Sequence, residues 1–315
     1  MKMNGNQVGI VLIILGMSLF AFQDVLIKSM APTASLMQIL FFRGVIGTLL
    51  LSLFFYFTDR QINFSSSYPT MAIARGVLFF VGFTSYYVSL TLIPLAEATS
   101  LFFISPLFMT IFSKILLKDV VGFHRFGAII FGFFGILLII KPSFQNFNWA
   151  MLLPILCAAT YSLSMILAKL TSDEDTTFQQ TSHIYISNFV LAIVTSLVAS
   201  YLLSYTGTNA GLEFLVRPFN FTNYLFLFFI FIISIFGTLG ILCLIMAYRI
   251  GSPAANSPCE YIFLIYALLI GYFIFNEVPD LFSLLGMVII STSGFYIFIR
   301  EGIRNIDTAT NTSLR

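Results

Sequence analysis

Ten stretches of about twenty mainly apolar residues follow one another along this chain, and that succession constrains its fold more than any other feature. They cover 8–28, 36–57, 72–92, 95–116, 124–141, 149–170, 181–203, 223–247, 254–275 and 280–299. A helix rising 1.5 Å per residue needs about twenty residues to cross about 30 Å of hydrocarbon. The chain is 59% hydrophobic and 9% charged, whereas soluble domains run to about 25% charged. A soluble fold could not cover so much apolar surface, so the expected class is an all-α integral membrane protein in a lipid bilayer. Connections are short and turn-like: "APTAS" (31–35), "IP" (93–94), "GSP" (251–253) and "NEVPD" (276–280), with Pro94, Pro142, Pro253 and Pro279 near helix ends. The "IP" connection leaves little room. Spans three and four read as separate crossings because 72–116 is too long for one, with a single kinked unit as the alternative.

The N-terminal apolar run, flanked by Lys2 and "SMAPTAS", has the outline of a signal peptide. It is longer than a signal core of about 7–15 residues and contains Asp24 and Lys28, so a retained first helix is expected. With the N-terminus inside, eleven basic residues fall at the inner ends (Lys2, Arg60, Arg75, Lys114, Lys118, Arg125, Lys169, Arg249, Arg300, Arg304, Arg315) and three at the outer (Lys28, Lys141, Arg217). This asymmetry predicts a multi-pass protein of the cytoplasmic (inner) membrane with both termini cytoplasmic.

Composition also narrows function. A net charge of +2, thinly scattered, makes no nucleic-acid stripe. Cys157, Cys243 and Cys259 have no paired spacing, and His124 and His183 lie far apart, so neither disulfide, metal nor cofactor is expected. No phosphate loop is present, and an integral membrane enzyme would need clustered nucleophiles, acids or ligands that the chain lacks. A channel usually repeats its subunits; here the symmetry is internal.

Span five has Gly127, Gly132 and Gly135; span ten has Gly286, Ser291 and Gly294, with the same spacing at an offset of 159. Upstream, "LLKDV" (116–120) is similar to "IFNEV" (274–278), placing Asp119 or Glu277 in the turn before the last helix of each half. These matches predict ten transmembrane helices as two inverted five-helix repeats, 1–148 and 149–315 with a short polar cytoplasmic tail, an architecture of many secondary transporters. The glycine seams fit packing within a monomer or a homodimer.

Lys28 ending span one, "FFRG" (41–44), "ARGVLFFVGFTSYYVSL" (74–90), "PLAEATSLFFISPLF" (94–108), "LLKD" (116–119) before "GAIIFGFFGILLIIKP" (127–142), and "FNE" (275–277) follow in an order that resembles the EamA type of the drug/metabolite transporter superfamily. Within it the chain is similar to bacterial S-adenosylmethionine and riboflavin uptake carriers. The resemblance implies a central cavity between the halves and alternating access. It also implies an Arg-Tyr pair where this chain has Glu260-Tyr261 and a Glu where it has Phe263. Exchange of a base for an acid favours a cationic or zwitterionic small-molecule substrate.

Ionisable groups at bilayer depth cost roughly 2.5–3.5 kcal/mol on insertion scales and point to a cavity or a partner. Asp24, Arg43 and Glu97 are expected at similar depth in the first half. Asp24 and Lys28 stand in the favourable acid-first i, i+4 order, with Arg43 reaching Asp24 or Glu97. The bland alternatives are an interfacial Asp24–Lys28 pair that snorkels and a Glu97 that serves the helix dipole. In "AANSPCEYIFLIYALL" (254–269), Pro258 marks an unwound entry that offers Asn256, Glu260 and Tyr261. Pro106 is expected to kink span four. Tyr86 and Tyr87 fit either cavity lining or an aromatic belt. The candidate binding set is thus Asp24, Arg43, Tyr86, Tyr87, Glu97, Asn256, Glu260 and Tyr261, with a proton or a counter-solute driving transport. Import and export both remain open.

Overall fold

The computed structural model describes residues 5–58, 62–118, 123–140, 148–202, 210–250 and 257–303. All regular structure among them is helical: α1 (Gly5–Met30), α2 (Leu36–Phe57), α3 (Pro69–Ser89), α4 (Leu95–Phe102), α5 (Ser105–Phe112), α6 (Phe123–Ile140), α7 (Leu152–Leu170), α8 (Thr177–Leu202), α9 (Ala210–Val216), α10 (Tyr224–Ile250), α11 (Ile262–Phe275) and α12 (Leu281–Ile303).

Seven stretches among the described residues are long and apolar enough to cross a membrane: Gln7–Met30, Leu36–Phe57, Pro69–Ser89, Leu95–Leu117, Trp149–Leu170, Thr177–Ala199 and Tyr224–Leu244. The expected spans 124–141, 254–275 and 280–299 coincide with shorter described apolar stretches, Ile130–Ile140, Cys259–Phe275 and Leu281–Ser293. The backbone over Ser257–Tyr261 is a 3₁₀ turn, so the α-helix begins only at Ile262, as the proline-marked entry predicts. Spans three and four are separate helices, joined across 90–94.

Span four is broken where Pro106 predicts. Proline cannot donate to the carbonyl four residues back, and its ring crowds that oxygen. The carbonyl concerned belongs to Phe102, where α4 stops; α5 restarts at Ser105 with Pro106 in its first turn. The "APTAS" turn ends in Ser35, whose hydroxyl accepts from the Gln38 amide and caps α2.

The helices pack as long pairs: α1 along α10, α3 along α7, α2 along α8 and α6 along α12. Each pair runs antiparallel. Gly16 faces Gly240 while Gln23 reaches Gly237; Gly82 faces Cys157 while the Arg75 carbonyl accepts from Ser164. Lipid is as apolar as leucine, so such contacts depend on close approach more than on burial. The α6–α12 crossing depends on it most. A methyl group on Gly135 would lie 2.9 Å from the Gly286 carbonyl oxygen, and one on Gly286 2.5 Å from that of Gly135. Both glycines therefore form a seam inside this chain. Gly127, read as part of the same series, meets nothing within 4 Å.

Polar loops gather at two ends. At one, Lys28, Ile93, Leu95 and Glu277 meet, and Arg217 donates to the carbonyls of Ala31 (3.1 Å) and Ala34 (2.6 Å). At the other, Asp175 accepts from the Ser66 hydroxyl (2.5 Å) and the Ser67 amide (3.0 Å), and Gln179 donates to the Ser65 carbonyl.

Candidate functional site

Four of the expected residues converge between these ends. Asp24 on α1, Arg43 on α2, and Tyr86 and Tyr87 on α3 are all buried, none more than 4% exposed. The Tyr86 hydroxyl donates to Asp24 Oδ2 at 3.2 Å and lies 3.2 Å from Thr99 Oγ1 on α4. Arg43 Nη1 donates to the Tyr87 hydroxyl at 2.5 Å, and the guanidinium carbon lies 5.9 Å from that ring's centroid. Gln23 completes the cluster: its Nε2 donates to Asp24 Oδ1 at 3.2 Å and to the Tyr87 hydroxyl at 3.0 Å.

Two expected pairings are corrected. Lys28 does not pair with Asp24 one turn before it. Its ammonium lies 2.5 Å from Glu277 Oε1, donates to the Ile93 carbonyl at 3.3 Å, and sits 5.0 Å from the Phe275 ring centroid. Glu277 Oε2 also accepts from the Leu95 amide at 2.9 Å, capping α4. The helical i, i+4 geometry allowed the Asp24 pair, but a carboxylate from the α11–α12 turn offers Lys28 a partner at the helix end, where neither charge is carried deep. Arg43, in turn, reaches neither Asp24 nor Glu97; among the described residues no ion pair joins Asp24 to Arg43. Tyr87 stands between them. Glu97, in the first turn of α4, accepts from the Ser283 hydroxyl of α12 at 3.0 Å. It stands in the helix turn that Glu277 caps rather than in the Asp24 cluster.

Glu260 and Tyr261 sit at the far end of an aromatic wall. From Tyr86 the rings run through Phe102 (centroids 5.8 Å apart) to Phe103 (6.0 Å) and on to Tyr261 (5.1 Å). Tyr161 of α7 packs on Phe102 at 5.4 Å and on Phe83 at 6.2 Å. The break between α4 and α5 makes this possible, because it aims the adjacent Phe102 and Phe103 at opposite ends of the wall. The Tyr261 hydroxyl is buried without a partner. Asn256 lies outside the described residues.

Sequence reading missed several participants. Gln23 had a signal, being a polar residue beside Asp24 inside an apolar run. Thr99, Tyr161 and Phe102 had none beyond their type. Gly237 on α10 had none at all, yet a side chain there would press on Gln23 Oε1 and come 3.0 Å from Arg43 Nε. Both of those atoms are buried and unpartnered. The arrangement can bind: it offers one carboxylate, one guanidinium and tilted and edge-to-face rings, and among the described residues no pair of groups is set for bond-breaking chemistry.

Comparison with known proteins agrees. Residues 7–141 match the EamA-like transporter family. The S-adenosylmethionine uptake transporter of Rickettsia felis is 28% identical over 278 residues, 88% of each chain. That of Rickettsia bellii is 28% identical over 295 residues, 94% of each. The pseudopaline exporter CntI of Pseudomonas aeruginosa is 27% identical over 285 residues, 90% of this chain and 93% of the exporter. A crystal structure with 14% identity superposes at a TM-score of 0.62, covering 96% of this chain and 98% of the other, which shows a shared fold. The chain is a multi-pass membrane transporter of small metabolites rather than an enzyme, and its residues 7–141 are similar to the EamA-like transporter family.

Proposed function

We propose that this permease is a secondary transporter that carries a small cationic or zwitterionic metabolite, of the S-adenosylmethionine kind, across the cytoplasmic membrane by alternating access. One observation carries the reading: a buried carboxylate, Asp24, held by two neutral donors at 3.2 Å and continued by an aromatic wall toward Glu260. A desolvated carboxylate that no ion pair among the described residues neutralises attracts a cation strongly, and a ring wall suits a planar group beside it. The likeness to S-adenosylmethionine carriers supports the substrate class.

The ten-helix reading belongs to the same proposal. Residues 1–148 and 149–315 form two inverted five-helix repeats with both termini cytoplasmic. The pairing supports it: counting spans, one with eight mirrors six with three, while two with seven and five with ten are each self-symmetric. Asp24 serves as the proton site if transport is proton-driven. A second reading, export by the same fold, is favoured by the likeness to the pseudopaline exporter.

The test is uptake of labelled S-adenosylmethionine into proteoliposomes, with and without unlabelled solute inside. Saturable uptake abolished in Asp24→Asn supports the reading. Uptake only down a gradient directed outward from the cytoplasmic face supports export. Equal rates in wild type and Asp24→Asn remove Asp24 from the site.

A further inference from the structure

Resting on that reading, we infer that Tyr87 is a positioning residue: it holds Arg43 off Asp24 and so preserves two opposite charges for the two ends of a zwitterionic head group. Asp24 and Arg43 are each 4% exposed, in one cluster, on two helices that both pack on α10. Opposite charges this deep lower their energy by meeting, since attraction rises as the dielectric falls. They do not meet. The Tyr87 hydroxyl accepts from Arg43 Nη1 at 2.5 Å and from Gln23 Nε2 at 3.0 Å, while Gln23 and Tyr86 occupy the Asp24 oxygens. Arg43 Nε is left buried and unpartnered on the side of Gly237. An unmade bond at a buried charged group is costly. Arg43, which holds only a phenol, therefore takes a carboxylate, and Asp24 takes the ammonium or sulfonium of the same ligand.

The probes are S-adenosylmethionine and its decarboxylated analogue, which keeps the cation and loses the carboxylate. Binding to the detergent-purified full chain is measured for wild type, Arg43→Gln, Tyr87→Phe and Tyr87→Phe/Arg43→Gln. Wild type should prefer the carboxylated probe by about tenfold, the worth of one charge-assisted hydrogen bond, and Arg43→Gln should erase that preference. In Tyr87→Phe the freed Arg43 collapses onto Asp24, and both probes weaken. Adding Arg43→Gln to Tyr87→Phe should restore binding of the decarboxylated probe, which a merely structural role for Tyr87 would worsen further. A ligand-free readout separates this inference from the substrate reading. The coupling between the thermal effects of Asp24→Asn and Arg43→Gln should be larger in the Tyr87→Phe background than in wild type. If neither probe binds wild type, the substrate reading falls and the thermal cycle alone decides Tyr87. Equal binding of both probes, no recovery in the double variant, or equal coupling in both backgrounds overturns the inference.

Discussion

At the scale of single residues, the site is made by polar groups that are denied their simplest partners. Asp24 meets neutral donors and Arg43 meets a phenol. Glu260 lies at the other end of the ring wall, next to Tyr261, where the resembling carriers are expected to hold a base. Glu260→Gln should weaken a cationic substrate by about tenfold through lost attraction, with expression unchanged; an uptake titration checks this, and unaltered affinity would take Glu260 out of the site. Gly237 makes the sharper case. Its bare Cα lets Gln23 and Arg43 pack against α10. Gly237→Ala should displace both and cost about 1–3 kcal/mol as overpacking. In a transport assay the variant should lose affinity for the carboxylated probe, because Arg43 moves. Wild-type stability and affinity in this variant would mean that the two side chains have room to yield.

At the scale of helices and turns, breaks matter as much as spans. Pro106 ends α4 at Phe102 and sets the rings of the wall. Asn276 ends α11 in a left-handed conformation, φ 54°, and the next residue, Glu277, bonds back to the Gly271 carbonyl through its amide at 2.8 Å. Its side chain is thereby delivered to Lys28 and the start of α4. Glu277→Ala should remove a helix cap, worth about 1 kcal/mol, and leave a half-buried ammonium unpaired. A lower melting temperature than that of Glu213→Ala, whose ion pair is more exposed, is the expected result. The α6–α12 seam gives the other test. Gly286→Leu should force the helices apart and lower the yield of folded protein on size-exclusion chromatography, whereas Gly127→Leu, with open space around it, should not.

At the scale of the whole molecule, the loops sort to two ends as an alternating crossing pattern requires. Arg217 grips the turn after α1, while Asp175 grips the turn before α3. A cysteine at Thr33 and one at Ser172, each in a cysteine-free background, should label with a membrane-impermeant reagent from opposite faces of the membrane. The Ser172 side should be the cytoplasmic one. Labelling of both from the same face would refute the proposed topology. The same background is practical because Cys157, Cys243 and Cys259 are all free thiols.

The membrane class, the helical content and most helix ends were legible in the sequence, because hydrocarbon imposes its length and polarity on every residue locally. Pro106 and the 257–261 entry were legible for a similar reason: a missing amide hydrogen acts within one turn. Partner choice was not. Asp24 and Lys28 satisfy the helical rule for a pair, yet a turn 249 residues away takes Lys28. Arg43 is buried, yet Tyr87 rather than a carboxylate receives it. Gly237 carries no chemical signal of its own. Its role exists only because α1, α2 and α10 cross there, and a charge finds its partner by distance in space, which only the packing of helices decides.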